Sequence, residues 1–341
     1  MPLMQKPKFL RARPVLSLKW SAYLDFNHPL FIRFRKIPMP DTRTCLDVLC
    51  LGHASYDLVF SVPHHPAEDE KLFADGLLGC GGGPAANAAV AIARLGYQAA
   101  FAGYLGRDVY GDSHYAELQQ AGVETDLIVR GDSPTPLSAI LVKPNGKRAL
   151  LNYKGDTKIL PADALDFFGI TAKTVLFDGH EPLLSLALLD KIGNAVPTVL
   201  DAGSLHTGTE ALMAKVTYLV CSEKFALQYA GDPRTALSRL AALSPNVVIT
   251  LGERGLIWQR GLETGNLPAP PIAAVDTTGA GDAFHGAFAA AVAAEMTWLD
   301  SLYFASAAGA FCCTRMGARP GLPDRVQHQQ LLSSWRGPIT D

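Results

Sequence analysis

The run Asp276-Thr277-Thr278-Gly279-Ala280-Gly281-Asp282-Ala283-Phe284 places an anion-binding turn next to a carboxylate. Gly279 and Gly281 let the main chain turn tightly and bring bare N–H groups to a ligand. An alanine-rich stretch follows to about residue 294 and reads as a helix. A helix start offers unpaired N–H groups and the positive end of the helix dipole, so a phosphate fits there. Asp282 falls in the first helical turn, beside that site. A carboxylate cannot bind the anion, but it can take a proton from a hydroxyl that attacks phosphorus. The plainer alternative is an acid that stabilises a helix start, with glycines that only turn the chain.

A second group of residues suits a polyhydroxylated ligand. In Gly81-Gly82-Gly83-Pro84-Ala85-Ala86-Asn87, Gly82 and Gly83 allow a ring to approach the main chain. Asn87 both donates and accepts, and Asp57, five residues past Gly52, can accept from two hydroxyls. Thr250-Leu251-Gly252-Glu253-Arg254-Gly255 follows a strand-like run, and its glycines would let main chain meet phosphates. The competing readings are a buried helix amide for Asn87, a turn or cap for Asp57, and a hairpin turn into residues 256–259 for the third motif.

These residues need a scaffold. Residues 46–52 read as a buried strand ending at a glycine, and 84–95 as a helix with proline in its first turn. Residues 99–103 read as a strand and 110–121 as a helix closed by Gly122. Short β-rich runs at 174–177, 198–200, 218–220 and 247–251 alternate with helical stretches at 183–193, 207–214, 223–230 and 235–243. A strand-like run at 272–275 precedes the Asp282 motif. Such alternation calls for a doubly wound, mainly parallel sheet with helices on both faces. Residues 71–78 and 137–153 break the alternation, the second with an Asn145-Gly146 hairpin turn. They read as a small accessory sheet; the alternative is an antiparallel extension of the main sheet.

Composition narrows the function classes. The 341 residues are 48% apolar and 18% charged, which excludes wholesale disorder. The net charge of −2 argues against a nucleic-acid binder, and no apolar run is long enough for a transmembrane helix. Neither a P-loop nor a dinucleotide-binding glycine motif is present. Cys45, Cys50, Cys80, Cys221, Cys312 and Cys313 have no zinc-like spacing and read as reduced thiols in a cytoplasmic protein. Residues 1–44 carry nine basic and two acidic side chains, whereas the other 297 residues sum to −9. This segment reads as a basic, poorly ordered extension: an arm for an anionic surface, or a leader before a start at Met39.

The 277–282 motif resembles the C-terminal signature of the ribokinase-like, or PfkB, carbohydrate kinase family. Gly81 to Asn87, then Ala93-Arg94-Leu95-Gly96, then Gly103 with Gly106-Arg107-Asp108 and Gly111, are similar to that family's glycine-rich block. The resemblance spans residues 46–325 and implies a doubly wound α/β core at 45–62, 79–136 and 154–335, with a β lid at 63–78 and 137–153. It implies ATP-dependent phosphorylation of a sugar, using Mg²⁺. Asp282 would be the base, and the amides of Gly279, Ala280 and Gly281 the anion hole. Asp57, Gly82, Gly83 and Asn87 would hold the sugar. Ser222, Thr250, Gly252 and Gly255 would meet the nucleotide. Asp276 and Thr278, with main chain at 312–321, resemble the monovalent-cation site of members that use potassium. Lid pairing implies a homodimer, with no nucleic-acid or membrane partner.

One departure stands out. Where many members carry Asn-x-x-Glu to order Mg²⁺ through water, this chain has Ser222-Glu223-Lys224-Phe225, leaving the metal to ATP phosphates and water. The branch of ketohexokinases and sulfofructose kinases shares this loss. Phe284-His285-Gly286-Ala287, Cys313-Thr314-Arg315 and Gly317-Ala318-Arg319 are similar to the sulfofructose branch. There Lys71 and Asn152 match positions facing the sugar or its anionic end. His180, next to Glu181, stands where an arginine would meet the sulfonate. A neutral histidine there would suit an uncharged ketohexose or pentose. Two other expectations compete: a nucleoside kinase, separable by turnover on adenosine, and a non-catalytic sugar or nucleotide sensor, against which the intact Asp282 motif weighs.

Overall fold

The computed structural model describes residues 45–336, so the reading of residues 1–44 lies outside the described residues. The chain begins with β1 (Cys45–Leu51), β2 (Ser55–Ser61), β3 (Gly76–Gly82) and α1 (Pro84–Arg94). It continues through β4 (Ala99–Gly106), α2 (Val109–Gln120), β5 (Ile128–Gly131), β6 (Leu137–Val142) and β7 (Arg148–Tyr153). Next come β8 (Thr171–Phe177), α3 (Pro182–Ile192), β9 (Thr198–Ala202), α4 (Thr207–Leu212), β10 (Tyr218–Ser222), α5 (Glu223–Ala230) and α6 (Pro233–Leu240). The last part holds β11 (Asn246–Thr250), β12 (Leu256–Arg260), β13 (Glu263–Leu267), α7 (Ala280–Ala293), α8 (Trp298–Cys312), α9 (Ala318–Gly321) and α10 (Arg325–Arg336).

The main sheet runs β13-β12-β11-β10-β9-β8-β1-β4-β5. From β11 to β5 every neighbouring pair is parallel, and β12 and β13 close the other edge as antiparallel strands. Both faces are buried, which is why these strands read as continuous apolar runs. Val48, Cys50, Phe101, Leu176, Val220 and Val248 pack under α1, α7 and α8. Leu49, Leu51, Val175, Phe177, Leu219 and Ile249 pack under α3, α4, α5 and α6. Strand order reverses at β1, with β4 and β5 to one side and β8 to β11 to the other. A crevice opens outside the carboxyl ends of strands at such a reversal. The Asp178 carboxylate fills its floor, accepting N–H bonds from His53 (2.7 Å), Ala85 (3.1 Å) and His180 (2.9 Å). The α1 and α7 helices cross closely because a Cβ on Gly286 would stand only 2.7 Å from the Ala88 carbonyl oxygen.

The second sheet runs β3-β2-β6-β7, parallel between β2 and β6 and antiparallel elsewhere. Here the structure corrects the sequence reading. The lid takes 55–61 and 79–82 from what was expected to be core, and its second strand begins at Gly76 rather than at residue 71. Pro63, Pro66 and the polar run between them and Gly76 have low β propensity, and no strand pairs with them. The β6–β7 hairpin forms as expected, with Gly146 at φ +73°. Residues 272–275 are not a strand. Three prolines stand at 268, 270 and 271, and the Val275 N–H bonds the Cys313 carbonyl at the end of α8.

Candidate active site

Gly279 caps α7 in the left-handed region at φ +79°, and a Cβ there would lie 2.5 Å from Ala318 Cβ. Glycine is therefore required both for conformation and for close approach. Among the described residues, the N–H groups of Gly279 and Gly281 have no protein acceptor, while the Ala280 N–H makes a long 3.3 Å bond to Thr277. Ala280 and Gly281 line a cavity of about 570 Å³. Thr250, Gly252 and Gly255 line it too, so the turn after β11 and the start of α7 share one pocket. Residues 252–254 form a single 3₁₀ turn that joins β11 to β12 as a hairpin, the alternative reading of this motif. Ser222 is not part of the wall. It caps α5 by accepting from the Phe225 N–H and donates to the Gly203 carbonyl. Its neighbour Glu223 pairs with Arg254 of the 3₁₀ turn.

Asp282 follows Gly281 in the first turn of α7. Asn87 Nδ2 donates to its Oδ2 at 2.7 Å. Burial pushes the Asp282 carboxyl above its ordinary range; the Asn87 bond, His285 and Arg148 pull the other way. Asp57 is buried on β2 and accepts from Ser55 Oγ at 3.1 Å. Desolvation pushes its pKa up to about 6 despite bonds from Ser55 and Ser138. Gly82 makes room for it, since a Cβ there would come within 2.3 Å of the Asp57 carboxylate. Gly83, at φ +94°, packs on the His53 carbonyl. The lid register sets Asp57 opposite Ser138, and Ser138 opposite Asn152, so exposed Asn152 shares a row with Asp57. Lys71 is not brought into this row; it is exposed in the loop before β3.

His180 lies between His53 and His206, with ring centroids 5.1 and 5.0 Å away. Burial lowers the pKa of His53 far below the usual value and that of His206 less far. Glu181 is buried, accepts from the Leu160 N–H at 2.6 Å and is pushed up to about 7 by desolvation. Both line a cavity of about 40 Å³ with Tyr104, Lys154 and Lys158.

Asp276 and Thr278 form a self-contained clasp. Asp276 Oδ1 accepts from the Thr278 N–H (2.9 Å) and hydroxyl (2.7 Å), and Oδ2 from the Gly317 N–H (2.8 Å). Arg148 reaches over from β7 to donate to Thr278 Oγ1 at 2.6 Å, 3.8 Å from Asp276.

Several residues of this centre escaped the sequence reading. Asp178 had a usable signal, being an acid at the carboxyl end of a strand beside β1. Arg148 and the His285–Asp201 pair (3.2 Å, buried) had none, because their partners are distant in sequence. Ser306, Gly309 and Ala310 of α8 also line the large cavity, but α8 is apolar on most sides and shows no stripe.

A doubly wound sheet, a β lid and an acid at a glycine-rich helix start define a sugar phosphotransferase. The PfkB family carbohydrate kinase model matches residues 46–325, and the chain belongs to this family as an ATP-dependent sugar kinase. It is 30% identical over 293 residues to a ribokinase of Bacillus subtilis (strain 168), covering 84% of this chain and 99% of that one. It is 30% identical over 292 residues to a probable fructokinase-5 of Arabidopsis thaliana, covering 76% and 90%. Among solved structures, the Arabidopsis thaliana ribokinase complexed with ribose and ATP matches with a TM-score of 0.74 at 26% identity, covering 85% of this chain and 99% of that one. A putative ribokinase from Agrobacterium tumefaciens matches with a TM-score of 0.78 at 28% identity, covering 86% and 100%. Among the described residues no helix is long and apolar enough to cross a membrane.

Proposed function

We propose that this kinase transfers the γ-phosphoryl group of ATP to a primary hydroxyl of an uncharged pentose or ketohexose. The observation that carries the proposal is the position of Asp282. It follows Ala280 and Gly281, which line the large cavity, and lies near enough to the buried Asp57 of the lid for the two carboxylates to repel. In this reading Asp57 and the main chain at Gly82 and Gly83 hold the sugar. Asp282 accepts the proton of the attacking hydroxyl, and its raised pKa makes it a stronger base than a surface carboxylate. The N–H groups of residues 279–281 meet the charge on the transferring group. Bound with ATP, Mg²⁺ would supply neutralisation of the phosphate oxygens. Lid closure over the crevice excludes water, which would otherwise compete with the sugar.

The relatives named ribokinase and probable fructokinase, each matched over most of this chain, support a neutral acceptor. An ADP-release assay with Mg-ATP over ribose, fructose, sulfofructose, fructose 6-phosphate, 2-keto-3-deoxygluconate and adenosine tests this. Preference for ribose or fructose is expected. Preference for sulfofructose would make Lys154 and Lys158 its anion partners and overturn the neutral assignment.

In this reading Arg148, rather than a monovalent cation, balances the Asp276 carboxylate. Both carboxylate oxygens already accept N–H or O–H bonds, and Arg148 supplies the matching charge. No step is routed through a monovalent ion. The outer lid face is apolar, with Leu77 64% and Leu151 73% exposed, and supports a homodimer through the lids. Leu151→Lys is expected to convert a dimer to a monomer in light scattering after gel filtration; an unchanged mass would sink that interface.

A further inference from the structure

Arg319, in α9, is 5% exposed and has no part in the chemistry described above. Arg94 fixes its main chain, donating to the Arg319 carbonyl at 2.8 Å and the Leu322 carbonyl at 2.9 Å. The guanidinium then points at α1 and α2. Its Nε donates to Asn87 Oδ1 at 3.0 Å, and its Nη2 to His114 Nε2 at 2.8 Å. Its Nη1 lies 3.9 Å from Glu117 Oε2, which accepts from the Gly81 N–H of the lid at 2.8 Å.

The chemistry of the three groups restricts this arrangement. A side-chain amide can turn over and exchange its oxygen and nitrogen. A guanidinium carries donors only and is not deprotonated in proteins. Asn87 must therefore show oxygen to Arg319 and NH₂ to Asp282. We propose that Arg319 is a positioning residue for phosphoryl transfer: its donor-only guanidinium locks the Asn87 amide so that Asp282 Oδ2 is held and Oδ1 is left for the sugar proton. Among the described residues, Oδ1 of Asp282 accepts no hydrogen bond.

The lock also sets the charge balance at the base. With the amide reversed, a carbonyl oxygen would face the carboxylate, favour its protonated form and turn it away. The other groups facing Asp282 are Arg148 from β7, Asp178 at the end of β8, His285 on α7, Asp201 on β9, Asp57 on β2 and Cys312 on α8. None of these touches the amide of Asn87, so none can replace Arg319 in orienting it. This proposal rests on Asp282 being the base and deepens that reading.

The test compares Arg319→Gln, which introduces an acceptor and lets the amide pair either way, with Arg319→Lys, which offers donors only. Steady-state kinetics are run across pH with the best sugar of the panel. Arg319→Gln is expected to lower kcat about tenfold to a hundredfold, leave KM for ATP within about twofold, and move the acid limb of kcat up by about one pH unit. Arg319→Lys should restore kcat to within about fivefold of the parent and return the limb. In an Asn87→Ala background, Arg319→Gln should cost less than about twofold more. Equal losses in Gln and Lys, losses that multiply in the double variant, or an unmoved limb would each overturn the lock. If Arg319→Gln fails to fold, Asn87→Asp leaves the buried guanidinium in place and sets a carboxylate against Asp282. The acid limb must then rise by more than about one unit, and an unmoved limb overturns the proposal. Asp282→Asn separates the two readings. Retained turnover there removes the base itself, whereas a dead Asp282→Asn beside failed Arg319 results removes only the lock.

Discussion

The cavity of about 570 Å³ proposed to take the nucleotide is walled by main chain at Gly252, Gly255, Gly281 and Gly309 and by mostly apolar side chains, among them Leu256, Ile272 and Phe284. The region proposed to hold the acceptor is built instead from buried charge. Asp57, Asp178, Glu181 and Arg319 are each nearly inaccessible. A phosphate needs N–H groups of the right curvature, which a glycine turn supplies whatever side chains surround it. A sugar must be told from other sugars, and that takes side chains oriented by further side chains. The first half is therefore sensitive to backbone freedom, the second to protonation and hydrogen-bond direction.

The contrast is broken most severely at the group both halves share. Asp282→Asn should reduce kcat by about three to five orders of magnitude, while ATP binding by calorimetry and the melting temperature stay close to the parent. Near-normal turnover would remove the base. Gly279→Ala should follow, because a Cβ must enter at φ +79° and 2.5 Å from Ala318. Strain of about 1–3 kcal/mol and a loss of ATP affinity near tenfold or more are expected, read by thermal melting and calorimetry. Unaltered nucleotide binding would show that the 279–281 turn is not the phosphate contact.

On the acceptor side the effects become pH-dependent. The folded-state pKa of Asp57 is raised to about 6, so the carboxylate proposed to accept sugar hydroxyls is the main form only above that pH. KM for the sugar should fall as pH rises from about 5 to 7, and Asp57→Asn should raise KM about tenfold to a hundredfold and flatten that dependence. A pH-independent KM in the parent protein would take Asp57 out of the sugar contact. The smallest effect concerns the clasp. Replacing potassium by sodium or choline should change turnover by less than about twofold, because Arg148 faces Asp276. Strong potassium activation would show that the clasp opens to admit an ion.

Much of the conformation around the large cavity was legible in the sequence. The 277–282 and 250–255 motifs fold through glycine conformations and a helix start, all local properties. The parallel core was legible for a similar reason, since strands buried on both faces form short apolar runs separated by helical ones. The lid was placed only partly. The hairpin at Asn145-Gly146 announces itself, but 55–61 carries no such signal, and only pairing with β3 and β6 assigns it to the second sheet. Residues 272–275 show the opposite error. They are β-like in composition, yet their partner is the end of α8.

Asn87 shows where sequence reasoning stops. Its type and its place in the glycine block mark it as a polar group near a ligand, with either end of its amide available. The crossing of α1 and α7 brings it to Asp282, and α9 delivers Arg319 to its other end, 232 residues away in sequence. The sequence by itself determined the glycine turns, the acid beside them, the alternating elements and the family to which they belong. The tertiary structure decided which carboxylates lose water, which amide end faces the base, and that Arg148 faces the Asp276 clasp. Those outcomes depend on burial and on the direction of hydrogen bonds between distant segments, and no local pattern encodes either.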